Sequence, residues 1–360
     1  HSRDAHGGGS LTFQVSELRR PGKKLRAEAV VIARKQRGWE KEDLPSVSGK
    51  GVAVCVSSQA GCSLDCSFCD TGRVRPAANL PSWAIVEQVR AAAEFINKDV
   101  RRVVFMGMGE PLLNYTEVSA ALVELKRVES LSRPWAITVS TVGVAPRIPL
   151  LAEDHPTVAL ALSLHAPQQQ LRAQLLPAGA SRWPLDTVMT AVQAHGNAVG
   201  RAPMYAYIVL PGVNDCESHA SELTALLTTT GSGAMLRPFV NLIPYNPTTA
   251  GALHGYRTPT ARELSAFRTA LRARGVRATV RWSTEDGRPL SAACGQLTAE
   301  SGVVDNGVAC GLLNGDSSQA APSEAKQELQ SDGLSAARLT AQLKRANSAD
   351  ELLSLVDAHA

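Results

Sequence analysis

Six short apolar runs recur along the chain, at residues 52–56, 103–106, 136–139, 158–162, 204–209 and 240–243. Each has strand length, and most are rich in β-branched residues, as strands buried on both faces are. The segments between them switch to helical spacing. Residues 83–96 put Ile85, Val89, Ala92 and Ile96 on one face. Residues 260–274 open with Thr260 and Glu263 as a capping box, turn Leu264, Phe267 and Leu271 inward, and stop at Gly275. Six strand–helix alternations predict an α/β fold with a parallel sheet. Right-handed crossovers would wind that sheet into a TIM-like partial (β/α)6 barrel.

The unusual residues fall at one end of this pattern. CVSSQAGC overlaps the end of the first strand, GMGEP follows the second and STVG the third. SLHAP follows the fourth, PGVND the fifth and IPYNP the sixth. All six lie where barrel enzymes build their sites, at the carboxyl ends of the strands. The flanks differ. Residues 1–50 read as a basic, weakly periodic extension containing a strand at 27–33, and 51–297 as the core. Residues 298–334 are a flexible linker rich in Gly, Ser, Asp, Gln and Ala. Residues 335–360 return to helical spacing with a Ser348/Glu351 capping box, which suits the start of a further domain. There is no internal repeat.

Composition narrows the picture. Of the 360 residues, 44% are hydrophobic and 19% charged, an ordinary globular balance. No apolar run approaches the ~18–20 residues that span a bilayer, so no membrane partner is expected. The opening HSRDAHGGGS shows neither a signal peptide nor an initiating Met, which predicts a truncated or processed chain. The net charge of +4 is mild, but residues 19–26, RRPGKKLR, carry five cations in eight positions and suit phosphate contact as well as a solvated surface. Four of the seven cysteines crowd into residues 55–69, unlike the even spacing of a secreted disulfide scaffold.

Cys62, Cys66 and Cys69 have the spacing C-x3-C-x2-C. Four thiolates complete a common four-iron cluster; three leave one iron open for an outside ligand. A zinc knuckle is the competing reading, but zinc motifs come as two such pairs or with paired His, and no second half lies nearby. The spacing, with Phe68 before the last cysteine, resembles the radical S-adenosylmethionine (SAM) signature. In that reading the open iron of a [4Fe–4S] cluster chelates SAM, and GMGEP offers Gly109 and Glu110 to the SAM amino group.

The segment from about residue 27 to 297 resembles the radical SAM enzymes that methylate carbon-2 of adenosine in 23S-type ribosomal RNA and in tRNA. The resemblance rests on CVSSQAGC (55–62), GMGEPLLN (107–114), VSTVG (139–143), LSLHAP (162–167), GVND (212–215), NLIPYNP (241–247) and AACGQL (292–297). It implies a radical SAM barrel in which Cys294 is first methylated and then carries a methylene radical to the ring carbon. It further implies that Cys55 resolves the protein–RNA adduct with formation of a disulfide, and that Glu28 helps remove the ring proton. SAM contacts would fall to Gly109, Glu110, Ser140, Ser163, Leu164, His165 and Asn246. Ser140 and Ser163 also suit strand-end capping, and His165 a packed core. Cys216 and Cys310 match nothing in the family.

The sequence departs from the family in four places. Residues 1–50 do not read as the family's usual N-terminal helical domain, residues 73–80 read RVRPAANL, residues 282–291 are longer and less basic, and the loop at 35–50 is long. These changes touch RNA recognition rather than cluster or SAM binding. Methylation at carbon-8 and a non-catalytic RNA-binding paralogue stay open as alternatives. The expected partners are RNA and a low-potential donor of the flavodoxin or ferredoxin kind, with the protein a monomer. A labile cluster and reduced thiols suit the cytoplasm or, alternatively, a chloroplast stroma. The tail at 339–359 is similar to the lead-in to helical repeats of algal organelle RNA-binding proteins.

Overall fold

The computed structural model describes residues 10–20, 23–32, 52–74, 78–97, 99–229, 238–281 and 295–298. The predicted loop at 35–50, nearly all of the predicted linker, the helical tail, Cys294 and Cys310 lie outside them. Eleven strands are present among the described residues. They are β1 (Ser10–Arg20), β2 (Lys23–Ile32), β3 (Val52–Cys55), β4 (Gln59–Ala60), β5 (Ala78–Asn79) and β6 (Val100–Phe105). The remaining five are β7 (Ile137–Thr141), β8 (Ala159–Ser163), β9 (Met204–Val209), β10 (Phe239–Pro244) and β11 (Arg277–Val280). Nine form one sheet in the order β1-β2-β3-β6-β7-β8-β9-β10-β11, and β4 pairs with β5 apart from it.

From β3 to β11 every neighbouring pair in this sheet is parallel. Each connection carries a helix, the longer ones being Ser82–Ile96, Tyr115–Leu125, Leu185–Val199, Glu217–Thr229 and Ala261–Ala273. The predicted six β/α units are present, and the sheet curls as a half-barrel with β11 as a seventh parallel strand. β1 and β2 form an antiparallel hairpin whose second strand pairs antiparallel with β3, Val30 opposite Cys55. Residues 10–32 therefore extend the barrel sheet directly. β1 was not anticipated, although Leu11, Phe13 and Val15 alternate with polar residues in the sequence.

Local chemistry accounts for the element ends. Thr260 accepts the Glu263 amide while Glu263 reaches back to the Thr260 amide, the capping box expected from the sequence. Helix Leu185–Val199 stops at Gly200 in the left-handed region. The core lies between sheet and helices, with Val54, Val103, Val139, Leu162, Val209 and Leu242 at most 0% exposed. Each such side chain contributes about 1.5–3 kcal/mol on burial. No helix among the described residues is long and apolar enough to cross a membrane.

Beyond Cys55 the first barrel strand leaves its ladder, and side chains take over. Gln88, on helix Ser82–Ile96, accepts the Ser57 amide at 2.8 Å and donates to the Ser57 carbonyl at 2.9 Å. Asn114 donates to the carbonyls of Ser58 and Leu80, both at 2.8 Å. Replacing Gln88 with Leu keeps the volume but strands both Ser57 backbone groups in the interior. It should cost about 2–4 kcal/mol in urea unfolding of the apo-protein; a loss below about 0.5 kcal/mol would contradict this account.

Candidate active site

The carboxyl ends of the parallel strands open into one cavity. Cys62, Cys66 and Cys69 form one wall, and Gly109, Glu110, Ser140, Ser163 and His165 form others. Eight of the residues singled out by sequence thus meet in one place.

The cysteine loop turns through Asp65, which adopts a left-handed φ of 51°, and closes with the Cys69 amide donating to the Cys66 carbonyl at 3.0 Å. Phe68 meets the His165 ring edge-on at 5.1 Å. Burial pushes the Cys66 thiol well above its ordinary value, and the neighbouring Cys69 and Cys62 thiols push it further. Cys69 is also raised by burial, against the pull of Thr71. The loop is anchored from outside: Asp70 accepts the amides of Thr249 at 2.9 Å and Ala250 at 2.7 Å.

The GMGEP turn lies against residues 56–59. At Gly109, where φ is +93°, an added Cβ would stand 2.5 Å from the Gln59 Cβ, so only glycine fits. Gln59 in turn accepts the Glu110 amide at 2.8 Å. The Glu110 carboxylate is 2% exposed and accepts the amides of Leu112 at 3.0 Å and Val142 at 2.9 Å. Burial nevertheless raises its pKa to about 7, outweighing those hydrogen bonds. Glu110 therefore pins the ends of β6 and β7 together while facing the cavity, a structural duty the sequence did not reveal.

Ser140 and Ser163, on adjacent strands, lie 3.3 Å apart through their hydroxyls. His165 holds φ at 60°, and its Nδ1 accepts the Ile208 amide at 3.0 Å. Nδ1 is thus the bare nitrogen, and the neutral ring carries its proton on Nε2. Burial, then the Arg172 charge, lowers its pKa to about 3. Asn214, from GVND, steadies this turn by donating to the His165 carbonyl at 2.9 Å and the Ile208 carbonyl at 2.7 Å. Leu164 is fully buried and donates its amide to Ala206, and Asn246 donates to the Pro244 carbonyl at 3.4 Å. Neither lines the cavity.

Cys55 and Glu28 sit at the β2–β3 edge. Val30 faces Cys55 across the ladder, and Glu28, two residues away, lies on the same face as Val30. Glu28 is 1% exposed, and its carbonyl accepts the Ser57 hydroxyl at 2.5 Å. Cys55, Val30, Met108 and Leu297 form a small apolar group of their own. The segment 295–298 reaches this group over the cysteine loop: Asp70 N–H donates to the Gly295 carbonyl at 2.8 Å, and the Thr71 hydroxyl donates to the Leu297 carbonyl at 2.7 Å. At Gly295, where φ is +89°, a Cβ would stand 3.1 Å from the Phe68 carbonyl. Among the described residues no disulfide joins Cys55, and Cys294, its expected partner in the resolving step, lies outside them. Bond formation that belongs to a reaction step leaves no mark on the resting fold. Cys216 is also free, exposed and remote from the cavity lining.

Residues 56–223 match the Radical SAM superfamily. The chain is 41% identical over 252 residues to the probable dual-specificity RNA methyltransferase RlmN of Synechocystis sp., covering 70% of this chain and 68% of the relative. The chain belongs to the RlmN family. The protein of the same name from Thermosynechococcus vestitus is 42% identical over 250 residues, covering 69% of this chain and 70% of its own. A crystal structure of a radical SAM methyltransferase from Sphaerobacter thermophilus matches with a TM-score of 0.64 at 34% identity, over 80% of this chain and 82% of that one.

Radical SAM family membership implies a [4Fe–4S] cluster and SAM, and the RlmN-family site can be tested for its fit to them. Among the described residues, no three His, Cys, Asp or Glu side chains converge closely enough to hold a single metal ion. Cys62, Cys66 and Cys69 line one cavity, and the separate irons of a cluster each take their own thiolate. The donor set fits. Glu110 gives the direct check on the pocket's own chemistry. Gln in its place turns an NH2 toward one of the two amides it caps, which should cost the apo-protein about 1–3 kcal/mol. Because the folded state raises the Glu110 pKa from 4.5 to about 7, wild type binds the extra proton and loses stability as pH rises through that window. The gap between wild type and Glu110→Gln should therefore narrow from pH 4.5 to 7 in denaturant titrations; a gap that widens would reverse the assignment.

Proposed function

We propose that the chain is a radical SAM methyltransferase that methylates carbon-2 of an adenosine in 23S-type ribosomal RNA, with tRNA as a second substrate. Residues 51–297 are its catalytic core, and it works as a monomer with a flavodoxin- or ferredoxin-like donor. Reduced thiols and a labile cluster suit a reducing compartment. The observation that carries the reading is the seating of residues 295–297. Gly295, the covalent neighbour of Cys294, is hydrogen-bonded to the cysteine loop, while Leu297 packs with Cys55. A methyl carrier at 294 has to serve the cluster end of the cavity and a resolving thiol at 55, and this segment joins both.

Cys62, Cys66 and Cys69 would hold the cluster, and Gly109, Glu110, Ser140, Ser163 and His165 would orient SAM. When bound, these groups supply a 5′-deoxyadenosyl radical. The apolar shell of Val30, Met108 and Leu297 keeps water from the Cys55 sulfur. The amidine carbon of adenine is not nucleophilic, so a carbon-centred carrier on Cys294 is needed to reach it. Glu28, on the same sheet face as Val30, accepts the proton leaving the ring at its carboxylate. Cys55 then attacks the Cys294 sulfur as a thiolate, forming the Cys55–Cys294 disulfide as the sulfur–carbon bond breaks; the carbon leaves with the electron pair and takes up a proton as the ring methyl. A neutral His165 fixed as the Nε2–H tautomer presents a donor and no charge.

After anaerobic reconstitution and incubation with SAM, the tryptic peptide containing Cys294 should gain the mass of one methyl. Cys55→Ala should accumulate a protein–RNA crosslink and release product at under about a hundredth of the wild-type rate. Nucleoside mass spectrometry should find the carbon-2 product. An unmodified Cys294 with SAM cleavage intact sinks the carrier role, and a carbon-8 product reassigns the target atom.

A further inference from the structure

The helix Gln169–Leu175 follows the His165 turn and ends beneath the cysteine loop. Its last carbonyl, on Leu175, accepts the Ser67 amide at 3.0 Å, and Ser67 directly follows Cys66. One turn earlier on this helix stands Arg172, whose side chain is 0% exposed. Its Nη2 donates to the Val142 carbonyl. Its Nε and Nη1 are buried with no hydrogen-bond partner among the described residues. No carboxylate among the described residues forms an ion pair with it. Cys66, on the loop bonded to this helix, is the acidic side chain whose charge reaches it.

A guanidinium stripped of water and given no carboxylate is among the costliest groups to bury. The other fully buried arginine, Arg147, shows what a structural role looks like. It stacks over the Tyr115 ring at 5.5 Å and donates to the Leu112 carbonyl at 2.8 Å. Arg172 has one carbonyl and stands on the helix to which the cysteine loop is bonded. A cluster held by three thiolates carries net negative charge and gains one more on reduction, and net charge and nearby donors set its potential.

We propose that Arg172 is a positioning residue for the redox step: the fixed counter-cation of the iron–sulfur cluster on Cys62, Cys66 and Cys69, which raises its reduction potential. The inference rests on the reading that these cysteines hold that cluster. The step is the transfer of one electron from a flavodoxin- or ferredoxin-class donor to the cluster, with no bond made or broken. Arg172 touches neither substrate nor reacting carbon and acts through the cluster alone.

The test is an EPR-monitored redox titration of the reconstituted holoenzyme without SAM, for wild type, Arg172→Met and Arg172→Lys. The Met variant should be at least tenfold harder to reduce, a midpoint about 59 mV more negative for one electron. The Lys variant should recover most of that loss. A Met variant with the wild-type midpoint overturns the proposal. Thermal unfolding of the apo and loaded forms supplies an independent arm. Arg172→Met should lower the unfolding midpoint more with the cluster than without it. An equal loss in both forms, or a Met variant that fails to fold without iron, makes Arg172 a holder of the Val142 carbonyl and also overturns the proposal. If wild type itself binds no cluster, the cluster reading fails instead, and the two failures are told apart.

Discussion

The carboxyl edge of a parallel sheet is where the backbone ladder stops, and everything in this site depends on how the stranded amides and carbonyls are then satisfied. Each buried group without a partner costs about 1–3 kcal/mol, so a deep cavity at this edge is stable only if side chains replace the missing strand. Here they do. Gln88 mimics a strand for Ser57, Glu110 ties the Leu112 and Val142 amides, and Asn214 closes the turn at His165. Asp70 and Thr71 carry the same device across to residues 249–250 and 295–297. The residues that look catalytic in sequence are thus interleaved with residues that keep their loops from collapsing.

Because those bonds are long-range, they fix distances between elements far apart in the chain. The bond from Asp70 to Gly295 spans 225 positions, and the one from Thr71 to Leu297 spans 226. Groups that must react from separate loops need that accuracy, since their rate falls steeply with small misplacement. Backbone strain is spent in the same place. His165 and Asp65 hold left-handed angles without being glycine, which persists only where surrounding bonds over-determine the turn.

How much of this was legible in the sequence follows from the range of each interaction. The six buried strands and their motifs were readable, because period and composition are local, and every motif does lie at a strand's carboxyl end. The capping box at Thr260 was readable for the same reason. β11 escaped because four residues alternating Arg277, Ala278, Thr279 and Val280 carry too little apolar signal. The strand β7 runs on through Ser140 and Thr141, polar residues that mask its end. Arg172, Gln88 and Asp70 gave no warning, since a lone polar residue in a helix or loop announces a buried partner only once the fold supplies one. Arg172 also sits in a helix where i,i+4 surface pairing is the commoner fate of an arginine.

The cavity's charges extend the same logic to binding. Burial drives nearly every titrating group in it toward neutrality: the Cys66 and Cys69 thiols rise, Glu110 rises to about 7, and His165 falls to about 3. Arg172, buried behind the lining on the helix that supports the cysteine loop, is lowered only to about 10 and remains a cation. A site arranged this way holds one uncompensated positive charge until thiolates form around it. A cluster bound as proposed would require those thiolates, so its loading would supply the negative charge that the apo fold lacks. The cost of burying Arg172 and the cost of ionising Cys66 would then offset each other, which is a physical reason for the two to stand on bonded elements.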